Sequence, residues 1–263
     1  MLDDIADDSG PVMADRTLAH FRKACRWYSI RDDGFNSPIV PGMARSDSEA
    51  RNRILSDDEI RDVWAGLKVV TEPACYAPFV KSLLLCATRR NESALMHSSE
   101  VDGDAWIIPG ERYKRLPKHK GCDHLIPLSP QAKALMGEKP MGCRANASYV
   151  FSTTNGEKGF TGFSKAKRAL DKAIAEIRKK EGRDPMPSWR LHDLRRTART
   201  LMSQAGVLPD HAERCLGHIV GGVRGTYYKY EFREEKKQAF IKLADLVAEI
   251  VAPREKPDIA VAA

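Results

Sequence analysis

No apolar run in the 263 residues approaches the roughly 20 needed to span a bilayer, and the opening MLDDIADD is acidic where a secretory signal would be basic. None of the six cysteines (Cys25, Cys75, Cys86, Cys122, Cys143 and Cys215) forms C-x-x-C with another, and none stands near a histidine at zinc-finger spacing. A zinc module and a redox dithiol are thereby excluded. Most of these cysteines sit in apolar text and read as reduced core thiols of a cytoplasmic protein. No carboxylate cluster has metal-ligand spacing, and no Gly-rich loop of the Walker type occurs, so neither a metal nor any other cofactor is expected. Internal repeats and low-complexity tracts are lacking too.

What is present is ordinary for a globular chain: 42% hydrophobic and 30% charged residues. Lys and Arg number 43 against 36 Asp and Glu, and the net charge of +7 weakly favours a polyanionic partner. The length suits one large domain, or one domain plus a fragment.

Along the chain, residues 1–12 read as acidic and irregular. Residues 13–32 read as one helix, with Leu18, Phe21, Cys25, Trp27 and Tyr28 as an apolar stripe. One helix cannot bury such a stripe alone, so residues 1–35 look like a remnant of a helical domain. Residues 36–55 have linker composition. Ser56-Asp57-Asp58-Glu59 is a capping box that opens the main domain, residues 56–252. Pro73 suits the first turn of a second helix running through FVKSLLLCA into Arg89 and Glu92. AWIIPG and HLIPL read as strands joined by the basic loop ERYKRLPKHKGCD, within a hairpin or three-stranded sheet. Ser129-Pro130 opens a further helix, and YVFS reads as a short strand. A basic amphipathic helix from Phe163 to about Glu181 carries Lys165, Lys167, Arg168, Lys172 and Arg178. Another amphipathic helix spans Arg233 to Val251, and residues 253–263 read as a frayed tail. The fold class is mainly α with a small antiparallel β-sheet, an α+β domain.

Several residues could do chemistry on a phosphate. His192 and Arg195 form H-x-x-R on one helix, where residues three apart share a face. Leu191, Leu194, Ala198 and Leu201 mark its buried stripe, and Arg195 falls at the border, where a guanidinium is costly to desolvate unless an anion meets it. A surface helix with solvated arginines is the plainer reading. Arg89 and Glu92 are an intrahelical ion pair worth roughly 0.3–0.5 kcal/mol on the plain reading, or a guanidinium held by a carboxylate and aimed at a phosphate on the other. Lysines 114, 118 and 120 are solvated loop charges, a general acid, or contacts to phosphates. Tyr227 and Tyr228 follow a glycine-rich approach; a tyrosine nucleophile needs positive neighbours, because its free pKa is about 10.

Together and in this order, these motifs resemble those of the tyrosine recombinases, the phage integrase family. CATRRNESALM resembles the family's first box, giving Arg89 and Glu92. WIIPGERYK with DHLIPLS resembles its hairpin, whose lysine corresponds first to Lys114 and second to Lys120. LHDLRRTART resembles its H-x-x-R box, and CLGH its L-G-H box, giving His218. The family's nucleophile commonly lies nine residues beyond that histidine, at Tyr227 here. The resemblance covers about residues 56–250. Only something like the last helix of a core-binding domain precedes the linker, so it implies a member truncated at its N-terminus, in which full recombination is open.

The resemblance further implies a metal- and ATP-independent reaction. Tyr227 would attack a scissile phosphate and form a 3′-phosphotyrosine. Arg89 and Arg195 would clamp the non-bridging oxygens, and Lys114 would protonate the leaving 5′-oxygen. His192 would accept or relay the tyrosine proton, His218 would hydrogen-bond the phosphate, and Glu92 would orient its neighbours. The implied partners are double-stranded DNA attachment sites, on which a chain monomeric in solution would form a homotetramer, with the C-terminal helix packing in cis or in trans. No membrane partner is implied, and the place of action would be the nucleoid of a bacterial or phage-infected cell. Candidate DNA contacts are Arg112, Lys118, Lys120, Lys165, Lys167, Arg168, Lys172, Arg196 and Arg199. Two other readings remain at this stage: an idle integrase remnant that only binds DNA, and an enzyme like a type IB topoisomerase.

Overall fold

In the computed structural model of the chain, residues 1–44, 46, 51–113, 123–137, 148–218 and 231–252 are described. The chain divides into two units, Met1–Asn52 and Arg53–Ala263.

In the first unit, helix α1 (Leu2–Ser9) leads into α2 (Pro11–Ser29). The irregular segment expected over residues 1–12 is therefore helical. Asp3 and Asp4 in the first turn of α1 complement its dipole, and acidic composition does not oppose a helix when it sits at that end. Gly10 at φ 85° separates the helices and Pro11 starts the second, which places α2 two or three residues earlier than its apolar stripe suggests. Ala14, Leu18 and Cys25 are buried, whereas Phe21, Trp27 and Tyr28 are exposed.

The second unit starts at the capping box. Ser56 Oγ accepts from the Glu59 amide, and Glu59 returns the bond to the Ser56 amide, opening α3 (Asp57–Val69). Helix α4 (Tyr76–Leu85) is apolar nearly all round and is the central helix. Pro73 stands before it, outside the helix, and α4 does not run on to Arg89. Ala87 takes a left-handed φ of 49°, and α5 (Arg90–Ala94) starts afresh with Arg89 as its extended N-cap residue. A sheet follows, of β1 (Val101–Asp102), β2 (Ala105–Ile108) and β3 (His124–Pro127), antiparallel in that order. Gly103 makes the first turn, Trp106 pairs with Val101 and Ile126, and Ile108 pairs with His124. The short α6 (Pro130–Ala134) begins at its Ser129 cap. YVFS is not a strand: Tyr149 makes an isolated bridge to His97 and Phe151 turns into the core. There follow α7 (Phe163–Lys180), α8 (Leu191–Gln204), α9 (Pro209–Cys215) and α10 (Arg233–Val251).

The core gathers Tyr76 and Phe79 of α4 with Phe151 and Phe160, all within 2% of full burial. Helix α10 lays Phe240, Leu243, Val247 and Ile250 against the same unit, touching α3, α8, α9 and β3. Buried Lys236 reinforces this by donating to the Leu125 carbonyl (3.0 Å). Helices α3 and α7 approach at Gly66, where an added Cβ would lie 2.9 Å from both Leu170 and Ile174. Beside that contact, buried Asp62 accepts from Arg178 (2.7 Å) and Arg183 (2.5 Å), which raises the Arg183 pKa above its usual value. Arg178, one of the basic residues of α7, is thus turned into the α3–α7 joint.

Because Gly66 sets that approach, Gly66→Leu is expected to destabilise the protein by about 1–3 kcal/mol through overpacking. A lower urea midpoint at unchanged slope would report it; an unchanged midpoint would mean the joint has slack.

Candidate active site

The amphipathic pattern of α8 buries Leu191, Leu194, Ala198 and Leu201, and Arg195 lies among them at 4% exposure. The border position expected for Arg195 is in fact inside. Its Nη1 donates to the Ala87 carbonyl and its Nη2 to the Leu216 carbonyl, each at 2.6 Å. Glu92 Oε2 stands 3.8 Å from Nη1. The left-handed Ala87, a conformation that costs an L-residue roughly 1–2 kcal/mol, is what turns its carbonyl toward the guanidinium. Burial, and next the charge of Arg89, lower the pKa of Arg195, with Glu92 opposing.

Glu92 is the third residue of α5, and its carboxylate caps the helix by accepting from the Arg89 amide (2.7 Å). Its other oxygen accepts from Arg89 Nη1 (2.6 Å). The plain reading of an intrahelical pair fails, because Arg89 precedes the helix and Glu92 is buried. Burial alone would lower the Arg89 pKa; the hydrogen bond and charge of Glu92 outweigh it and raise the value. Two guanidiniums therefore share one carboxylate, leaving a net positive charge at one end of a cleft.

His192 stands three residues before Arg195, with its side chain reaching solvent at the cleft. Burial and then the charges of Arg196 and Arg195 push its pKa below the usual histidine value, so the ring is neutral near pH 7 and open to accept a proton. Asp193, fully buried, caps α8 from the Arg190 amide (2.8 Å) and holds Arg196 by Nη1 (2.6 Å).

At the end of α9 the chain reverses at Gly217, φ 66°, and brings His218 to the other side of Arg195. His218 Nε2 lies 3.4 Å from Arg195 Nη2. A Cβ at Gly217 would fall 1.9 Å from Tyr113 Oη, so the position demands glycine for its φ and for its space. Tyr113, fixed beyond β2, donates to the same Leu216 carbonyl that Arg195 uses (2.8 Å). It also underlies the Arg89 guanidinium at 5.2 Å from its ring centre. His124 on β3 packs on Tyr113 and donates to the Cys215 carbonyl (3.2 Å). The hairpin is thus tied to the segment that carries His218, and the basic loop leaves Tyr113 at the edge of the arginine pair. Lys114, Lys118, Lys120 and Tyr227 lie outside the described residues.

A cleft of about 670 Å³ opens beside these groups, lined by Arg89, Arg90, Arg112, Lys167, Trp189 and His192 among others. Arg112 is held there by Glu100, which also accepts from Trp106 Nε1 (2.9 Å), and it donates to the Glu92 carbonyl (2.8 Å). Lys167 lies over the Trp189 ring at 3.9 Å and pairs with Asp171. Arg196 is held by Asp193 and Arg199 by Glu213 (2.7 Å). Lys165, Arg168 and Lys172 are exposed on α7. Sequence reading passed over Tyr113, Glu100 and Glu213. Of these only Glu213 had a local signal, a carboxylate five residues before His218 at a helix end.

The model of the phage integrase family matches residues 53–233. A lambda integrase (75–356) dimer bound to a COC′ core site has a similar fold at TM-score 0.58 and 16% identity, over 82% of this chain and 76% of that one. A lambda integrase tetramer bound to a Holliday junction gives 0.59 and 16%, over 87% and 64%. The Tn1549 transposon integrase with circular intermediate DNA gives 0.55 and 13%, over 90% and 81%. The chain thus spans less than two thirds of the lambda integrase in the tetramer. No curated protein matches by sequence. The likeness is one of fold: a mainly helical domain with a small antiparallel sheet, as in tyrosine recombinase catalytic domains.

The depressed pKa of His192 sets a sign for stability against pH. The unfolded chain takes up this proton at about pH 6.5, the folded one only lower. In that window the unfolded state binds more protons, so stability rises with pH, is complete above it and is lost as pH falls. Urea titrations of the wild type and His192→Asn at about pH 7.5 and about pH 5 should show a smaller loss in the variant; equal losses would mean that His192 is not held neutral.

Proposed function

Because the chain belongs to the phage integrase family, we propose that it cleaves and rejoins DNA strands through a 3′-phosphotyrosine at Tyr227. The observation that carries the reading is the pair Arg89 and Arg195, joined through Glu92, with His192 beside Arg89 on the cleft and His218 beside Arg195. Two forked donors side by side suit the non-bridging oxygens of one phosphodiester. Their positions are braced by backbone carbonyls and a carboxylate, so little reorganisation is needed as charge builds on phosphorus.

In the step we infer, the Tyr227 oxygen attacks phosphorus and the bond to the 5′-oxygen breaks. The tyrosine proton passes to neutral His192, and Lys114 protonates the leaving oxygen. Arg89 and Arg195 hold the oxygens of the pentacoordinate phosphorus, and His218 adds a hydrogen bond. Glu92 keeps both guanidiniums in place from behind. Reversal with a new 5′-hydroxyl rejoins the strand, and since the bond energy is kept in the phosphotyrosine, no ATP is consumed. The assignments of Lys114 and Tyr227 rest on the family motifs.

The partner is double-stranded DNA at attachment sites, with assembly from monomer to homotetramer on that DNA. Lambda integrase in the similar structures is a dimer or tetramer on DNA, which supports this. Lys165, Arg168 and Lys172, exposed at spacings of three and four on α7, form one basic stripe for phosphates outside the cleft. Arg112, Arg196 and Arg199 are held by carboxylates, so their part is bracing before contact.

A pool of duplexes nicked near randomised sequence tests the chemistry, since the nick lets the cleaved end diffuse away. The wild type should give a covalent adduct on a denaturing gel. Tyr227→Phe should give none, Tyr228→Phe should retain it, and Arg89→Ala should reduce it by roughly 10²–10³-fold. No wild-type adduct, or one surviving in Tyr227→Phe, sinks the reading. For the stripe, log affinity for duplex should fall linearly with log salt, and each of Lys165→Ala, Arg168→Ala and Lys172→Ala should lower the slope by about 0.9. Unchanged slopes would remove α7 from the DNA surface.

A further inference from the structure

His218 carries a second attachment that the proposed reaction leaves unused. Its Nδ1 lies 2.5 Å from Glu213 Oε2, and its backbone amide donates to the Glu213 carbonyl (2.9 Å). The other carboxylate oxygen, Oε1, accepts from Arg199 Nε (2.7 Å), and Arg199 Nη1 donates in turn to Ser203 Oγ (2.6 Å). On the far side of the ring, Nε2 faces Arg195 Nη2. A guanidinium has no acceptor, so without a phosphate Nε2 accepts in this pairing and the ring proton sits on Nδ1, toward the carboxylate. To donate to a phosphate the ring must take a second proton at Nε2, and the carboxylate at Nδ1 supports that imidazolium.

We propose that Glu213, anchored by Arg199, is a positioning residue that holds the His218 ring with Nδ1–H on its carboxylate and Nε2 turned to the phosphate site. The proposal rests on the strand-cleavage reading for what occupies that site. Three features support it. First, the His218 and Glu213 side chains are 45% and 36% exposed, so packing alone does not fix the ring, and the hydrogen bond must do so. Second, Arg195 and Arg199 lie four apart on α8, so one helix face presents a guanidinium to the phosphate site and, one turn on, a guanidinium to Glu213. The imidazole therefore spans two arginines held on one rigid element, with the carboxylate between the second arginine and the ring. Third, the Glu213 carboxyl stays ionised: burial raises its pKa, but the hydrogen bonds from Arg199 and His218 outweigh burial and lower it. The other charged or titratable groups around this corner are Glu92 behind Arg195, Tyr113 and His124 beneath Gly217, and Lys236 of α10 near Cys215.

The plainer role for Glu213 is to join α9 to α8 through Arg199 alone. A double-mutant cycle with the full chain separates the two, read as the rate of covalent adduct formation on the nicked duplex pool. Glu213→Ala should slow the adduct about 10–100-fold, the usual cost of losing a residue that orients a working imidazole. In a His218→Ala background the same change should cost less than about twofold, because the ring it acts on is gone. Glu213→Gln, whose amide oxygen can still accept from Nδ1–H, should recover most of the rate. Equal losses in both backgrounds, or no loss in Glu213→Ala, would overturn the proposal. A second measurement does not depend on cleavage: long-range proton–nitrogen NMR of the histidine rings. The wild type should show His218 protonated at Nδ1, and Glu213→Ala should lower that population toward a mixture of the two tautomers. If the wild type makes no adduct, strand cleavage falls while the NMR result still decides the role of Glu213; a wild-type ring protonated at Nε2 would reject it.

Discussion

A charged guanidinium buried on α8 constrains three other parts of the chain at once. Taking an ion of this kind from water costs several kcal/mol unless its donors are met, and Arg195 is only 4% exposed. Its needs are met by the Ala87 and Leu216 carbonyls and by the charge of Glu92. Each partner bears a mark of the demand. Ala87 adopts a left-handed conformation that breaks α4 from α5, Gly217 turns the chain so that Leu216 and His218 flank the guanidinium, and Glu92 is buried with its carboxylate shared. Tyr113 then uses the remaining capacity of the Leu216 carbonyl and brings in the hairpin. Four segments far apart in sequence are joined around one side chain.

Carboxylates recur behind the arginines of this unit. Glu92 stands behind Arg89 and Arg195, Asp193 behind Arg196, Glu100 behind Arg112, Glu213 behind Arg199 and Asp62 behind Arg178 and Arg183. A paired arginine keeps a fixed direction, which a solvated one does not. The pattern gives the cleft rigid forked donors and leaves the exposed cations of α7, Lys165, Arg168 and Lys172, on a separate stripe. Burial and the same positive surroundings push the His192 pKa below its usual value.

Much of this was legible in the chain. The capping box at Ser56, the limits of α10 and the antiparallel pairing around Gly103 depend on signals within a few residues, and each appears where local chemistry places it. The pairs Arg89 with Glu92 and His192 with Arg195 were legible as spacing, and the structure brings them together with His218 at one site. The failures were also physical. The α1 segment hid its helix behind acidic composition, YVFS hid a core phenylalanine behind strand-like text, and the continuous apolar run into Arg89 hid the break at Ala87. Nothing local signals that break, because its cause is a guanidinium more than a hundred residues away.

The sequence by itself determined the family, the order of the motifs and the types of side chain available, since these are matters of local pattern and spacing. Tertiary structure alone decided how the arginines are used. Arg195 moved from a border to the interior, and Arg112, Arg178, Arg196 and Arg199 each came to lie against a carboxylate. A guanidinium reads the same in sequence whether it meets phosphate or carboxylate. Which it meets depends on where a Glu or Asp from another segment comes to lie, and that is settled only when the core packs.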